Sequence, residues 1–193
     1  MSLSLVTAPT TEPLTLAEAK AHLRVLFPDD DDYITTLITA ARSMAENVCS
    51  RSFITTAWRL TLDTFPCDDT IIVPQPPLQS VTSITYYDSE NNSQTLSASA
   101  YNVDIYREPG RIVRSFGSYW PATYPRPNAV TVLFSAGYGA AASNVPTPII
   151  QAIKIMVSQW YENREPVVTG TIATEIPMSA DYLLAPYRAL ESP

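Results

Sequence analysis

The chain has 193 residues, of which 46% are hydrophobic and 16% charged, and it carries a formal net charge of -7 at pH 7 with a pI near 4.6. This length can bury a real core, so disorder is not expected, and the negative charge argues against a mainly electrostatic nucleic-acid binder. No apolar run approaches the roughly 18 residues that span a bilayer, and no signal-peptide pattern is present, so we expect a soluble intracellular protein without a membrane partner. The low charged fraction indicates that partners cover some apolar surface.

Two helices are predicted near the start of the chain. Thr15-Leu16-Ala17-Glu18 has the pattern of a capping box, so a helix should begin there, run through Val25 and stop before Pro28. The acidic run Asp29 to Asp32 favours the N-terminus of a second helix. Apolar residues then recur at spacings of three and four, which predicts one buried face: Ile34, Leu37, Ile38, Ala41, Ala45 and Val48.

From about Thr56 the apolar period changes to two, which is typical of strands with one buried face. Ser89 to Asn92 and Glu108 to Gly110 have hairpin-turn chemistry. After the strand that begins near Thr56, six more are predicted: Thr70 to Val73, Ser80 to Tyr87, Gln94 to Leu96, Tyr101 to Tyr106, Arg111 to Arg114 and Ala129 to Ser135. Such short, evenly spaced strands indicate a small antiparallel sheet or sandwich.

Helical periodicity returns in the last quarter of the chain. Pro146 and Pro148 open the most apolar helix, which Pro166 ends. Val167 to Met178 is predicted as an extended arm with exposed apolar residues, and a last short helix is predicted over Ala180 to Leu190. The order of helices, strands and helices predicts an α+β fold.

The sequence lacks the motifs that assemble catalytic or metal sites. His22 is the single histidine and lies inside the first predicted helix, outside any nucleophile motif. With one histidine, the distant Cys49 and Cys67 cannot complete a four-ligand zinc site, and we expect two free thiols. Gly137-x-Gly139 lacks the third glycine and the lysine of phosphate-binding loops. We therefore expect no catalytic residue, metal or cofactor.

A series of short motifs runs in order through most of the chain. It comprises Leu14-Thr15-Leu16-Ala17-Glu18-Ala19-Lys20, Trp58-Arg59-Leu60-Thr61-Leu62-Asp63, Tyr101-Asn102-Val103-Asp104, Glu108-Pro109-Gly110-Arg111, Ala136-Gly137-Tyr138-Gly139 and Trp160-Tyr161-Glu162-Asn163-Arg164-Glu165. Together these motifs resemble the head-tail connector proteins of tailed bacteriophages and prophages. Two departures from the usual pattern are Ser50, where similar chains have glycine, and Leu26-Phe27-Pro28, where they are more polar. Both lie around the second predicted helix.

The resemblance implies a helical bundle that carries an inserted antiparallel β-domain. Its parts would be the two N-terminal helices in residues 1–55, the β-domain in 56–139, a long apolar helix near 146–164 within 140–166, and an extended C-terminal arm with a short helix in 167–193. The implied function is that of a non-enzymatic adaptor. About twelve copies would form a ring beneath the portal protein, extend the DNA channel without binding DNA specifically, and dock the stopper or tail-completion protein. The ring would be assembled in the host cytoplasm and reside in the virion neck.

Two sets of contact residues follow as hypotheses. The C-terminal region is too apolar to be a free tail, so we expect it to contact the portal or a neighbouring subunit. The residues of this set are Val167, Val168, Ile172, Ile176, Met178, Tyr182, Leu183 and Tyr187. The second set lies in predicted loops of the β-domain and is expected to meet the stopper or the ring exterior: Glu90, Asn91, Asn92, Tyr119 and Trp120.

Two other classes of function remain open from the residues. One is a virion-associated binding module built on the β-domain. The other is a carboxylate-dependent hydrolase, which would need two acidic side chains in one pocket, one of them with a raised pKa. Its candidate residues are Asp63, Asp68, Asp69, Asp88 and Asp104.

Overall fold

The computed structural model describes residues 1–164 and 177–189, which form an α+β fold of two compact units. The β unit contains Met1–Pro9 and Thr55–Tyr138, and the helical unit contains the described residues of Thr10–Ile54 and Gly139–Arg188. The larger part of the β unit, Thr55–Tyr138, is thus inserted into the helical unit along the chain. Ile54 and Gly139, at the two ends of this insertion, are joined by a parallel β-bridge.

The helical unit consists of α1 (Leu16–Leu23), α2 (Asp31–Cys49), α3 (Thr147–Glu162) and α4 (Met178–Leu184). A short 3₁₀ turn, Ala185–Tyr187, follows α4. One face of each long helix is fully or almost fully buried, at Ile34, Leu37, Ile38, Ala41, Ala45 and Cys49 of α2 and at Ile149, Ala152, Ile153, Met156 and Val157 of α3. None of the helices in the described ranges is long and apolar enough to cross a bilayer.

The capping box predicted for α1 is confirmed. The Glu18 amide donates to Thr15 Oγ1 at 3.2 Å, and the Thr15 amide donates to Glu18 Oε2 at 3.0 Å. The predicted end of this helix at Val25 is wrong, because Arg24 adopts the left-handed conformation at φ 59° and ends α1 at Leu23. The Val25 amide then donates back to the Lys20 carbonyl at 3.0 Å, as in a helix C-cap.

A partly buried network of charged side chains joins α2 to the segment before α1. Arg42 Nη1 donates to Glu46 Oε2 at 2.6 Å, and Arg42 Nε donates to Glu12 Oε2 at 2.7 Å. Glu46 Oε1 also accepts the Phe53 amide at 2.8 Å, so the network reaches the chain beyond the end of α2. Burial raises the pKa of Glu46 above its ordinary value, although Phe53 and Arg42 act in the opposite direction. The same carboxylates raise the pKa of Arg42.

Ser50 ends α2 in the left-handed conformation, with φ 49° and ψ 45°. Its amide donates to the Asn47 carbonyl at 3.1 Å, and the Arg51 amide donates to the Glu46 carbonyl at 3.0 Å. A side chain costs about 1 to 2 kcal/mol in this region, whereas glycine tolerates it but loses more entropy on folding. We therefore expect Ser50→Gly to raise the free energy of unfolding by about 0.5 to 1 kcal/mol in urea denaturation. Ser50→Ala, which keeps the unfavourable φ, should give no gain; an equal gain in both variants would contradict the explanation.

The β unit has eight strands: β1 (Ser2–Thr7), β2 (Thr56–Leu62), β3 (Thr70–Val73), β4 (Leu78–Tyr87), β5 (Ser93–Thr95), β6 (Tyr101–Asp104), β7 (Gly110–Arg114) and β8 (Val130–Ala136). A five-stranded sheet has the order β1-β2-β8-β4-β5, and a three-stranded sheet has the order β3-β7-β6. Neighbouring strands are antiparallel throughout. The predicted antiparallel sheet structure is therefore present, with β1 as an additional strand that the sequence analysis missed.

Side chains from both sheets form the core of the β unit. Burial alternates along β8, where Val130, Val132, Phe134 and Ala136 are buried. They pack with Leu60, Phe65, Ile71, Val73, Leu78, Ile84 and Ile112. Gly110, at the start of β7, allows close packing, because a Cβ atom there would lie 2.6 Å from Leu78 Cβ.

Candidate interaction surfaces

Helix α4 uses one face within its own chain and presents another to solvent. Ala180 and Leu184 are completely buried, whereas Met178 and Tyr182 are 71% and 73% exposed. Of this helix, only Met178 and Tyr182 are therefore candidates for contact with a partner, because Ala180 and Leu184 are buried within the helical unit.

Polar contacts fix the turn after α4 to the end of α2. Arg51 Nε donates to the Tyr187 carbonyl at 2.9 Å, and Cys49 Sγ lies 3.9 Å from the Leu184 carbonyl. Leu183 and Tyr187 are partly buried. The other predicted contact residues of the C-terminal region, Val167, Val168, Ile172 and Ile176, lie outside the described residues.

A polar and aromatic cluster secures the end of α3. The Asp30 carboxylate accepts the Tyr161 hydroxyl at 2.6 Å and Arg164 Nη2 at 3.0 Å. These hydrogen bonds lower the pKa of Asp30. The Arg164 guanidinium also lies over the Tyr33 ring, 4.6 Å from its centroid. The chain therefore leaves α3 from an anchored position.

The β4–β5 hairpin turn is exposed and well ordered by local hydrogen bonds. Glu90, Asn91 and Asn92, the candidate loop contacts, are all exposed. Asp88 Oδ1 accepts the amides of Glu90 and Asn92 at 3.0 and 2.9 Å, and Asn91 takes a positive φ of 63°. These hydrogen bonds thus fix the backbone from which the three side chains project.

The two predicted contact residues after β7 lie in different environments. Tyr119 is 80% exposed, with the Arg114 guanidinium 5.3 Å from its ring centroid. Trp120 is partly buried: its ring stacks on Phe65 at 5.0 Å, and its Nε1 donates to the Asp68 carbonyl at 3.1 Å. The expectation of an exposed loop is therefore wrong for Trp120, because its ring packs against the core of the β unit.

Several exposed apolar side chains were missed by the sequence analysis. Phe116 is fully exposed beside Tyr119, and Tyr106 in the β6–β7 turn is 93% exposed. In the turn between α1 and α2, Leu26 and Phe27 are 87% and 72% exposed. The exposure of Leu26 and Phe27 could have been suspected from the sequence, because similar chains are more polar at these positions.

Four of the five acidic residues considered for hydrolysis have structural partners. Asp104 accepts from Arg111 Nε at 2.9 Å, and Asp63 accepts the Asn128 amide at 2.9 Å. Asp69 pairs with Arg114. The pKa of Asp88 is lowered by Gln94 and the turn amides, and that of Asp104 by Arg111 and the Tyr106 amide. A general acid requires a raised pKa, so Asp88 and Asp104 do not suit that role.

The remaining candidate reactive residues are His22 and the two cysteines. His22 is exposed on α1. Cys49 and Cys67 are free thiols, the first buried and the second exposed. Burial raises the pKa of Cys49 to about 11, which disfavours the reactive thiolate. In residues 1–164 and 177–189, no three His, Cys, Asp or Glu side chains group together as metal ligands.

Comparisons with known proteins identify the family. No curated protein sequence matches the chain. Two similar chains, each 25% identical with a TM-score of 0.79, come from structures described as the neck of an empty GTA particle computed with C6 symmetry and the neck of a native GTA particle computed with C12 symmetry. A third, from the virion of a native gene transfer agent particle, has 24% identity, a TM-score of 0.81 and the same fold. Each likeness covers 100% of this chain and 97% of the other. The family model for head completion proteins matches residues 12–189, so the chain belongs to the head completion protein family and has a structural head-tail connector role.

Proposed function

We propose that the chain is the subunit of a ring of about twelve copies in the virion neck, seated beneath the portal protein. The ring would extend the DNA channel and dock the stopper or tail-completion protein on its other side. The observation that carries this proposal is the likeness, over the full chain, to a component of a neck computed with C12 symmetry. Assembly would take place in the cytoplasm of the bacterial host.

Within such a subunit, we assign the helical unit the role of the body, as a bundle, and the β unit the role of an inserted domain. The extensive buried faces of α2 and α3 support this assignment. No cofactor or reaction is needed, because function lies in the surfaces. The net charge of -7 suits a channel that DNA crosses without binding.

The C-terminal region would grip the portal or a neighbouring subunit. The apolar side chains Val167, Val168, Ile172 and Ile176 would make this contact, continued by the exposed Met178 and Tyr182 of α4. The β unit would meet the stopper through the hairpin turn at Glu90, Asn91 and Asn92 and through Tyr119, with Trp120 supporting that loop from the core side.

The test is binding of the purified full chain to the portal protein. Removing residues 167–193 is unsuitable, because it deletes the buried Leu184 and disturbs the helical unit. We instead expect aspartate at the four positions Val167, Val168, Ile172 and Ile176 to weaken portal binding at least about 100-fold, equivalent to about 3 kcal/mol. The melting temperature should not change.

A matched control carries aspartate at Thr169, Thr171 and Thr174, the polar positions of the same segment. This control should retain most of the binding, since it adds nearly the same charge while leaving the apolar side chains in place. Wild-type affinity in the fourfold variant would refute the assigned grip. A wild-type chain that stays monomeric and does not bind portal would refute the connector ring itself.

A further inference from the structure

Strand β1 forms one edge of the five-stranded sheet. On one side it pairs with β2, from Ser2 opposite Thr61 to Leu5 opposite Trp58. On its other side, no strand of the described residues is paired with it. Edge strands present unpaired amide and carbonyl groups, which form a template for another extended chain.

The edge of β1 lacks the usual protection against such pairing. Ser2–Thr7 contains no charged residue and no proline, the residue types that commonly block edge strands. Leu5 and Val6 are 52% and 46% exposed, so the strand also presents apolar side chains. The opposite edge of the same sheet is β5, which is only three residues long and thereby a poor template.

The segment of residues 167–174 has a composition suited to pairing with such an edge. Residues 167–174 include no charge and no proline, and six of these eight residues are β-branched valine, isoleucine or threonine. Such residues favour an extended, strand-paired backbone. Pro166, which cannot donate to a strand ladder, immediately precedes the run, and the charged Glu175 follows it.

We propose that the free edge of β1 accepts residues 167–174 of a second copy of this chain as an added strand. The proposal rests on the connector ring and names its subunit contact. Each subunit then carries one acceptor edge and one donor segment, and these are two different surfaces, as a closed ring of more than two subunits requires. Main-chain hydrogen bonds supply the affinity, as in other strand-addition complexes.

The length of the donor segment is sufficient for this contact. Residues 165–176 connect Arg164, which is anchored to Asp30, with Pro177 at the start of α4. Extended at about 3.3 Å per residue, the eight residues 167–174 span about 26 Å, which is longer than the roughly 20 Å of the six-residue strand β1. The segment is therefore long enough to pair along the whole of β1.

Mixing variants that each carry one introduced cysteine tests the pairing; the buried Cys49 stays in every chain. In a Cys67→Ser background, rings are assembled on the portal from two chains, one with Ser4→Cys and the other with a cysteine at each of positions 169 to 172 in turn. Directly opposed residues of paired strands bring their Cβ atoms within about 5.5 Å, so disulfide-linked dimers are expected in the mixture at one or two of the four positions. Dimers from Ser4→Cys alone would show β1 pairing with itself, and absence of cross-links at all four positions would exclude the donor segment; either result overturns the proposal.

A second variant tests the edge without cysteines. Leu5→Lys places a charge on the exposed edge and is expected to raise the protein concentration needed for ring assembly at least tenfold. Gln94→Lys on β5 is the matched control and should stay within twofold of wild type, and both variants should keep the wild-type melting temperature. If Leu5→Lys and wild type assemble equally on portal, the connector ring stands and the strand addition is refuted. If wild type itself does not assemble, both are refuted.

Discussion

Replacing Arg42 with alanine is expected to lower the free energy of unfolding by about 3 to 5 kcal/mol at pH 7. The guanidinium is the counter-charge for two carboxylates, Glu12 and Glu46, and its side chain is only 12% exposed. Without it, Glu46 keeps the Phe53 amide as a donor but remains a buried charge with no cation beside it. Urea denaturation gives the difference directly. Arg59→Ala, on an exposed arginine of β2, is the control and should change stability by no more than about 0.5 kcal/mol.

The effect of Arg42→Ala should depend on pH. Burial raises the pKa of Glu46 above 4.5 in the folded protein, and removing the arginine raises it further. As the pH falls through this raised pKa, Glu46 takes up a proton and becomes neutral, so the missing counter-charge no longer destabilises the fold. The folded variant is then stabilised relative to its unfolded chain. The difference between variant and wild type should therefore shrink between pH 7 and pH 4.5. An equal difference at both pH values would contradict the role of the buried charge.

Replacing Leu184 with alanine is expected to lower the free energy of unfolding by about 2 to 5 kcal/mol. Leu184 is fully buried in the helical unit, and the smaller side chain leaves a cavity and loses apolar burial. Tyr182→Ala, two residues earlier on the exposed face of α4, should alter stability by less than about 0.5 kcal/mol. Thermal and urea denaturation of the two variants make the comparison.

The pair of variants separates two roles of α4. A large loss for Leu184→Ala alone means that the helix stabilises the body of the subunit and leaves Tyr182 available to a partner. Equal, small effects of both variants would mean that α4 is only loosely attached, and the whole C-terminal region would then be a contact arm.

The long helices could be predicted because their burial is periodic. In α2, five of the six predicted apolar positions are buried: Ile34, Leu37, Ile38, Ala41 and Ala45. The sixth, Val48, is only partly buried, and the neighbouring Cys49 is buried instead. Strand β1 was missed because its alternating Ser-Leu-Ser-Leu pattern is short and its partner β2 lies more than 50 residues further along the chain. The end of α1 depended on the backbone conformation of one residue, Arg24, which has no propensity for the left-handed region.

The exposure of individual aromatic side chains could not be read from sequence. Phe116 and Trp120 lie four residues apart in the same loop, yet the first is fully exposed and the second stacks on Phe65. The difference depends on the stacking of Trp120 on Phe65, two residues that are 55 positions apart in the sequence. Hydrophobicity alone identifies candidates for burial or for binding, and only tertiary packing decides between these outcomes.

The bridge between Ile54 and Gly139 bears on how such proteins diversify. Because the inserted residues begin and end at adjacent points of the helical unit, recombination between related phages could exchange this stretch without interrupting a helix. Strand β1, however, belongs to the same sheet as β2, although α1 and α2 lie between these two strands along the sequence. An inherited replacement must therefore bring a compatible first strand with it, and the two separate stretches of the gene should evolve together.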